Sequence, residues 1–305
     1  MRNLIILTGQ TATGKSRHAL DLAKKINGQL INCDSRQIYK KLDIVTGKDI
    51  GYHKFFEVTS FSNFSVGYYL IDNIKVWLYD VIDPKVFFSS YDYTTIAQYV
   101  IKRITSKGKT PIIVGGTYLY IKHLLYGFET ESIPPDWKLR KKLERKTVSE
   151  LQEVLNDKSP TMFEKLNKSD QKNPQRLIRK IEIASHLRKV SAPTHRKSGS
   201  LLDADIEIIG FRYKKKQKLM SAVKKRVMER LKQGAVNEAK NLLKQGYSDS
   251  DPGLVTIGYK QIFQHLKGLL SKDEMINQWI TKEVQYAKRQ YTFMKKDSNI
   301  KWKAI

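Results

Sequence analysis

The first strand-like segment of the chain runs directly into a glycine-rich loop in NLIILTGQTATGKS, residues 3 to 16. Gly9, Gly14, Lys15 and Ser16 satisfy the pattern G-x-x-x-x-G-K-[ST], and a helical pattern follows, as this motif requires. In such a loop, backbone N–H groups and the helix N-terminus bind a diphosphate, the lysine neutralises a phosphate oxygen and the serine hydroxyl can ligate Mg²⁺. The predicted diphosphate site is Gly9, Gln10, Thr11, Ala12, Thr13, Gly14, Lys15 and Ser16, with Ser16 as the Mg²⁺ ligand.

Strand and helix patterns alternate over the first 130 residues or so. QLINC (29 to 33) and TPIIVGG (110 to 116) predict two further strands, and the aromatic stretch between them contains Asp72-Asn73, a hairpin turn signal. This alternation predicts an α/β fold of the P-loop NTPase-like kind, with a mainly parallel sheet flanked by helices.

The pattern changes after about Pro134. From there to about residue 200 no segment predicts a strand, and the helical patterns carry dense positive charge. DIEIIGFRY (205 to 213) restores a strand, and helices are predicted from about Lys216 and about Ser271. We expect a core domain of residues 1–133 and 202–305 and an inserted, basic, all-helical domain of residues 134–201.

The charge of the chain is strongly positive. In 305 residues there are 56 Lys and Arg against 30 Asp and Glu, a formal charge of +26. This favours a polyanionic partner such as nucleic acid, although an excess of solvated surface lysine is the alternative.

A single cysteine excludes an internal disulfide and suits a reducing compartment. With no signal-peptide core or membrane-length apolar segment, we expect a cytoplasmic protein with no membrane partner.

A phosphate loop alone leaves the reaction open. A nucleotidase also needs a strand that ends in a metal-binding Asp. IIVGG ends in glycines, the nearest candidate, VWLYD ending at Asp80, lies in the hairpin region, and no arginine-rich lid has the spacing found in small-molecule kinases. These absences make phosphoryl transfer a less favoured interpretation, but a P-loop small-molecule kinase stays as the alternative.

Polar residues follow the second predicted strand in INCDSRQIYKK. Ligands of open α/β sheets bind at the carboxyl ends of strands, so Asp34 is expected to face the same crevice as Lys15. A carboxylate beside a bound electrophile is a candidate general base, and Gln37 could bind the edge of a base through paired hydrogen bonds. The alternative is an ordinary polar loop.

Six blocks in order make the chain resemble the tRNA dimethylallyltransferases, also called tRNA isopentenyltransferases. They are GQTATGKS, DSRQIYKKLDIVTGKD, PIIVGGTYLYIKHLLYG, NPQRLIRKIEI, IGYKQI and YAKRQYTF, and the likeness spans residues 4 to about 296. Members of the family transfer a dimethylallyl group from dimethylallyl diphosphate to the N6 amine of the adenine immediately 3′ of the tRNA anticodon. The resemblance implies that diphosphate is the leaving group, that Mg²⁺ is the cofactor, and that a tRNA anticodon stem-loop binds in one basic cleft, for which a monomer suffices.

The resemblance also implies roles for individual residues. Asp34 would accept the proton of the adenine amine, Arg226 and Lys15 would stabilise the diphosphate, and Thr117 would lie near the channel for the flipped-out adenine. The inserted domain would bind tRNA. The implied tRNA contacts are Asp34, Ser35, Arg36, Gln37, Thr117, Arg140, Gln175, Arg176, Leu177, Ile178, Arg179, Gly258, Tyr259 and Lys260.

Each role has an alternative. Arg176 and Arg179 could be solvated residues of a basic helix, and Thr117 could cap a helix. A basic RNA-binding protein without the chemistry is a third hypothesis for the whole chain.

The sequence departs from the family in three places. The usual TAKP is TGKD here, an aromatic stretch at about 51–79 replaces a paired-histidine segment, and Ala222 stands where a further Arg is common. The zinc-finger extension of eukaryotic relatives is not found, and one cysteine could not build it, so we expect a bacterial-type enzyme.

Overall fold

A computed structural model describes residues 3–48, 50–51, 53–61, 63–127, 133–187 and 205–305. The chain divides into two compact units, one from residues 1–125 and 201–305 and the other from residues 126–200. Among the residues described, none of the helices combines the length and the apolar character needed to cross a bilayer.

The first unit is built on one sheet. In chain order its strands within the described ranges are β1 (Asn3–Gly9), β2 (Gly28–Asn32), β3 (Phe55–Phe61), β4 (Phe64–Ile71), β5 (Ile74–Trp77), β6 (Thr110–Val114), β7 (Asp205–Arg212) and β8 (Ile300–Ala304). Their order in space is β3-β4-β5-β2-β6-β1-β7-β8. The pairs from β5 to β8 are parallel, and among these strands only β3-β4 and β4-β5 are antiparallel. The predicted mainly parallel sheet is confirmed.

Helices flank this sheet and form the second unit. In chain order they are α1 (Lys15–Lys25), α2 (Ser90–Thr105), α3 (Tyr118–Tyr126), α4 (Trp137–Leu143), α5 (Val148–Lys158), α6 (Pro160–Glu164), α7 (Lys168–Gln171), α8 (Pro174–Leu187), α9 (Lys216–Lys232), α10 (Ala235–Lys244), α11 (Tyr259–Leu266) and α12 (Lys272–Met294). Helix α12 begins at a capping box, in which Ser271 and Glu274 each accept the other's backbone N–H. Helices α4 to α8 belong to the second unit.

The core of the first unit lies on both faces of the sheet. Successive residues of a strand point to opposite faces, so Ile6 packs in the cluster that includes α2, whereas Leu7 packs with Ala19 and Ala23 of α1. The continuous apolar run PIIV of β6 follows from burial on both faces.

The aromatic stretch forms the antiparallel end of the sheet. Asp72 and Asn73 join β4 to β5 with φ of 49° and 63°, and positive φ at both positions is what a two-residue type I′ hairpin turn requires. The predicted turn is confirmed. The sequence did not predict β8, the strand at the opposite edge.

The second unit has an apolar core of its own. The buried residues of this core are Leu143, Leu151, Leu155, Leu177, Ile178, Ile181 and Ala184. Leu177 is fully buried and Ile178 nearly so, because α8 must turn one face toward α5. Their side chains are therefore not available for the RNA contact predicted from the motif. The last residues of the predicted inserted domain, 188–201, lie outside the described residues.

Candidate active site

Three neighbouring parallel strands bring the predicted site segments together. The phosphate loop follows β1, Gly115 and Gly116 follow β6, and Asp34 follows β2. Backbone hydrogen bonds join the three strand ends. The Gly115 N–H donates to the Leu7 carbonyl at 3.1 Å, and the Cys33 N–H donates to the Val114 carbonyl at 2.8 Å. Since carboxyl ends of adjacent strands share one edge of a sheet, the site lies where ligands of such folds bind.

The phosphate loop is held from two sides. The Gln10 side chain is buried, its Nε2 donates to the Ala287 carbonyl of α12 at 3.3 Å, and its Oε1 accepts the Tyr213 N–H at 2.8 Å. The Tyr213 hydroxyl donates in turn to the Ala12 carbonyl at 2.6 Å. Gln10 therefore anchors the loop from within, while residues Thr11 to Ser16 line a cavity.

Lys15 is partly buried, and no carboxylate of the described residues pairs with it. Its Nζ donates to the Gln10 carbonyl at 2.5 Å and lies 3.4 Å from the Thr13 hydroxyl. Burial and the positive charge of Arg226 lower the pKa of Lys15 to about 7, and the charge of Asp34 opposes this shift. The three predicted groups therefore share one electrostatic environment.

Two cavities adjoin in this environment. The first cavity, of about 560 Å³, is lined by the phosphate loop from Thr11 to Ser16, by Gly115 and Gly116, and by residues of α9. The second cavity, of about 360 Å³, is lined by residues that include Arg36, Tyr286 and Arg289. Four residues line both cavities: Thr11, Asp34, Arg226 and Arg230.

Asp34 is placed to act on a group that lies between the two cavities. Its Oδ1 accepts the Arg36 N–H at 2.9 Å, and its own N–H donates to Asn32 Oδ1 at 3.2 Å. Within the part of the chain that the structure describes, Oδ2 accepts no hydrogen bond. The loop thus fixes the orientation of the carboxylate through one oxygen and leaves the other for a ligand.

Two arginines on one face of α9 converge on the site. Arg226 Nη1 donates to the Thr11 hydroxyl at 3.0 Å, and its Nη2 donates to the Thr46 carbonyl at 3.4 Å. Arg230, one turn later, is buried, donates to the same carbonyl at 3.1 Å and pairs with Glu283 at 3.2 Å. Arg230 was missed from the sequence, although its i+4 spacing from Arg226 was a signal that the two share a face.

Thr117 supports the Asp34 loop and lines neither cavity. Its hydroxyl accepts the Ser35 N–H at 2.9 Å and lies 3.3 Å from the Ser35 hydroxyl. Its carbonyl also accepts N–H groups of the first turn of α3. The geometry thus gives Thr117 a positioning role, and its contact with RNA stays a prediction.

Gln37 is engaged by the protein itself. Its Nε2 donates to the carbonyls of Thr46 at 3.2 Å and Gly47 at 2.7 Å, which uses both amide hydrogens. Only the Oε1 atom is left, so Gln37 cannot form the predicted paired hydrogen bonds with a base while these contacts last.

The GYK block is mostly interior. Gly258 and Tyr259 are buried, with Gly258 packed against Trp279, and the Tyr259 hydroxyl donates to Glu238 Oε1 at 2.5 Å. Only Lys260 is exposed. The side chain of Tyr259 is therefore not available for the predicted RNA contact, because α11 packs with this face inward.

Two predicted arginines of the second unit share a buried carboxylate. Arg140 binds Glu182 with two hydrogen bonds, at 2.9 and 2.7 Å, and Arg179 binds the same side chain. Burial raises the pKa of Glu182, but the two guanidinium groups and the Asp136 N–H outweigh it and hold this pKa below its ordinary value. Gln175 and Arg176 lie on the exposed side of α8, where Arg176 pairs with Asp170.

Gln290 of α12 joins two of the strand ends and was not predicted. Its Oε1 accepts the Thr11 N–H at 2.9 Å, and its Nε2 donates to the Gly116 carbonyl at 3.1 Å. A Cβ on Gly116 would lie 2.1 Å from Gln290 Nε2, which explains why glycine stands there. The residue lies in the YAKRQ block, the signal that could have indicated it.

Cys33 lies beneath the site. The side chain is fully buried, and burial raises the pKa of its thiol to about 12. The thiol is therefore packed and not catalytic, as expected from its place at the end of an apolar strand.

Residues 37–297 match a family model described as IPP transferase. The chain belongs to the IPP transferase family. The resemblance predicted from the six sequence blocks is thereby confirmed, and curated relatives agree with it. A tRNA dimethylallyltransferase of Acetivibrio thermocellus is 34% identical, with 99% of this chain and 91% of the relative covered. One of Anoxybacillus flavithermus is 32% identical, with 98% and 89% covered.

Solved structures of IPP transferases share the fold. The tRNA isopentenylpyrophosphate transferase of Bacillus halodurans has a TM-score of 0.67 at 28% identity, covering 100% of this chain and 90% of its own. The tRNA delta(2)-isopentenylpyrophosphate transferase of Staphylococcus epidermidis has a TM-score of 0.65 at 31% identity, covering 100% and 93%. A eukaryotic dimethylallyltransferase acting on tRNA shares the fold with a TM-score of 0.75 at 24% identity, covering 100% and 74%.

Proposed function

We propose that this protein transfers a dimethylallyl group from dimethylallyl diphosphate to the N6 amine of the adenine immediately 3′ of a tRNA anticodon. The observation that carries the proposal is the position of Asp34, which lines both the phosphate-loop cavity and the adjoining second cavity. Family membership and the tRNA dimethylallyltransferase relatives support the choice of reaction.

The reaction divides between the two cavities. The diphosphate binds in the first cavity, where Lys15 and Arg226 face it, and the adenine enters the second cavity. The N6 lone pair forms a bond to C1 of the donor as the C1–O bond breaks, and diphosphate leaves with that electron pair. Asp34 takes the N6 proton, which favours attack by an amine whose lone pair is delocalised into the ring.

The residues of the first cavity fit one divalent cation held mainly by substrate. The Ser16 hydroxyl is exposed at the start of α1 and lines this cavity. No cluster of three or more His, Cys, Asp or Glu side chains that could hold a metal occurs among the described residues. Mg²⁺ binds phosphate oxygens with few protein ligands, so Ser16 would hold it together with the diphosphate, whose charge it would neutralise.

The second cavity suits an extruded nucleotide. Arg36 and Arg289 line it and bring positive charge, and Tyr286 adds an aromatic ring. An adenine in a stacked loop must be flipped out of its stack to reach a buried electrophile, and Arg and Tyr side chains bind such a nucleotide through charge and stacking. The chain's charge of +26 assists its encounter with RNA. We extend the proposal to the exposed Lys260 and Arg176 as contacts of the stem-loop.

Incubation with labelled dimethylallyl diphosphate, Mg²⁺ and an anticodon stem-loop tests the proposal. We expect label in the RNA, on N6 of the adenine next to the anticodon, and inorganic diphosphate in equal amount. A stem-loop with guanine at that position is the matched control and should stay unlabelled. Consumption of ATP with unlabelled RNA would favour the kinase alternative instead. Against that alternative, strand β6 is followed by two glycines and not by a metal-binding Asp. Stem-loop binding without either reaction would leave only RNA binding.

A further inference from the structure

One loop forms a wall of both cavities and is held by a carboxylate outside them. This wall loop comprises residues 43–48, and its Val45 and Thr46 line the second cavity while Gly47 lines the first. Glu238, in the first turn of α10, accepts three successive backbone N–H groups of the loop. They come from Asp43 at 3.0 Å, Ile44 at 2.7 Å and Val45 at 3.0 Å.

The carboxylate of Glu238 is fixed in its turn. The Tyr259 hydroxyl donates to Oε1 at 2.5 Å, so the two oxygens accept four hydrogen bonds in all. Charge-assisted bonds of this kind are stronger and shorter than neutral ones. Tyr259 is fully buried, so its ring cannot move away without opening the core. The start of the wall loop is therefore rigidly placed.

The end of the wall loop is anchored independently. Lys48 is almost fully buried, and its Nζ donates to the Tyr39 carbonyl at 2.7 Å, to Asp43 at 2.7 Å and to Asp80. Asp80, the candidate metal ligand at the end of VWLYD, is thus engaged with this lysine and with Tyr69. With both ends fixed, the carbonyls between them have fixed positions.

The two arginines of the site donate hydrogen bonds to one of these carbonyls. Arg226 and Arg230 both donate to the Thr46 carbonyl, and a Cβ on Gly47 would lie 2.8 Å from an Nη2 atom of each. Arg226 reaches from this carbonyl to the Thr11 hydroxyl of the phosphate loop. A shift of the wall loop would therefore move the guanidinium group that faces the leaving group.

We propose that Glu238 is a positioning residue for the transfer reaction, which acts by holding the wall loop so that Arg226 spans from Thr46 to the phosphate loop. This rests on the proposed function, because the leaving group that Arg226 meets is the diphosphate. Glu238 lines neither cavity. Tyr259, which the motif suggested as an RNA contact, contributes to the same positioning because its hydroxyl fixes the Glu238 carboxylate.

A double-mutant cycle between Glu238→Gln and Arg226→Lys tests this in single-turnover transfer to the stem-loop. An amide keeps the size of the side chain but turns an NH₂ group toward backbone donors, so we expect transfer to fall about tenfold in the wild-type background. In the Arg226→Lys background the guanidinium that reaches both Thr46 and Thr11 is already lost. The same Glu238→Gln change should then lower the rate less than about threefold. Stem-loop affinity should stay within about threefold of wild type, since RNA binding is spread over many contacts.

Matched controls separate positioning from general damage. Glu274→Gln also removes a carboxylate from a backbone N–H, that of Ser271 at the start of α12, and should leave transfer unchanged. If Glu238→Gln does not fold, Tyr259→Phe can replace it in the double-mutant cycle, because it removes one of the four hydrogen bonds to the carboxylate. We then expect the transfer rate to fall about threefold in the wild-type background. Equal losses in both Arg226 backgrounds, or no loss in either, would overturn the proposal. Absence of transfer by the wild-type protein would instead contradict the proposed function.

Discussion

The Arg226 guanidinium donates to the Thr11 hydroxyl at 3.0 Å, which joins α9 to the phosphate loop across 215 positions of sequence. The same guanidinium reaches the Thr46 carbonyl, so its plane is fixed from two sides. A planar fork held in this way can face a developing charge without rearranging, which is how such groups stabilise a leaving group.

Replacing Arg226 with Lys keeps the charge and removes the fork. We expect transfer to fall about 100-fold, the magnitude found when one pre-arranged donor to a developing charge is lost. The loss should appear in the rate at saturating donor more than in KM, because the contact strengthens as diphosphate departs. Single-turnover kinetics with labelled donor measure it. Lys224→Ala, on an exposed face of the same helix, is the control, and an equal loss there would point to disruption of α9.

Asp34→Asn should abolish most transfer and spare RNA binding. The amide keeps the hydrogen bond to the Arg36 N–H but cannot take the N6 proton, so we expect a fall of about 10² to 10⁴ in rate. Transfer assays and a filter-binding titration with the stem-loop measure the two effects. Asp249→Asn, at an exposed ion pair with Lys267, should change neither. Transfer at the wild-type rate in Asp34→Asn would refute the assignment of the general base.

Binding of diphosphate should be linked to proton uptake by Lys15. With its pKa lowered to about 7 by burial and by Arg226, Lys15 is mostly neutral at pH 8 in the empty site. A bound diphosphate favours the charged form, so the site takes up close to one proton at pH 8, and affinity weakens as pH rises above about 7. Calorimetry with inorganic diphosphate in two buffers of different ionisation enthalpy measures this. Lys15→Arg stays charged and should lose the uptake, while uptake equal in both proteins would assign the proton to the ligand.

Gly47→Ala should damage activity beyond its effect on stability. Gly47 has φ of +68°, and a Cβ there would displace the Nη2 atoms of Arg226 and Arg230, each 2.8 Å away. A positive φ costs alanine about 1–2 kcal/mol of folding free energy. Gly108 has φ of +66°, and no described atom lies within 4 Å of the position that a Cβ would take there, so Gly108→Ala isolates the backbone cost. We expect both variants to lose similar stability in urea unfolding and only Gly47→Ala to lose transfer; equal activities would show that the arginines tolerate the displacement.

The second unit should depend on Glu182 near neutral pH. Glu182→Gln removes the charge that pairs with Arg140 and Arg179, and we expect a loss of about 1–3 kcal/mol in the stability of α8. Hydrogen exchange of the α8 amides measures it. Because the folded pKa of Glu182 is lowered, the carboxylate stabilises the fold above its ordinary pKa of 4.5 and loses this effect as pH falls through the folded value. The variant and the wild type should therefore converge in acid, whereas Glu153→Gln, on the exposed face of α5, should match wild type throughout.

Local signals predicted the first half of the sheet well. The phosphate loop between β1 and α1, and the turn at Asp72 and Asn73, each depend on a few adjacent residues whose backbone preferences are strong. The burial of Leu177 and Ile178 was also within reach, because with Ile181 and Ala184 they form an apolar stripe at helical spacing.

Long-range partners could not be predicted in the same way. Glu238 binds the backbone of residues 43 to 45, and nothing in a helical segment distinguishes a carboxylate that meets a loop 195 positions away from one that meets water. The same holds for Gln290 and the Thr11 N–H. Strand β8 was missed because its pattern, IKWKA, is short and mostly exposed, and only pairing with β7 makes it a strand.

The burial of Cys33 has a practical consequence for spectroscopy. Its thiol is enclosed beneath the site and stays protonated at neutral pH, with its pKa raised to about 12, and it is the single cysteine of the chain. Maleimides and methanethiosulfonates react with exposed thiolates, so we expect them not to label the native protein. Two cysteines introduced at surface positions, one in each unit, would then carry the pair of dyes or spin labels that a distance measurement between the units requires.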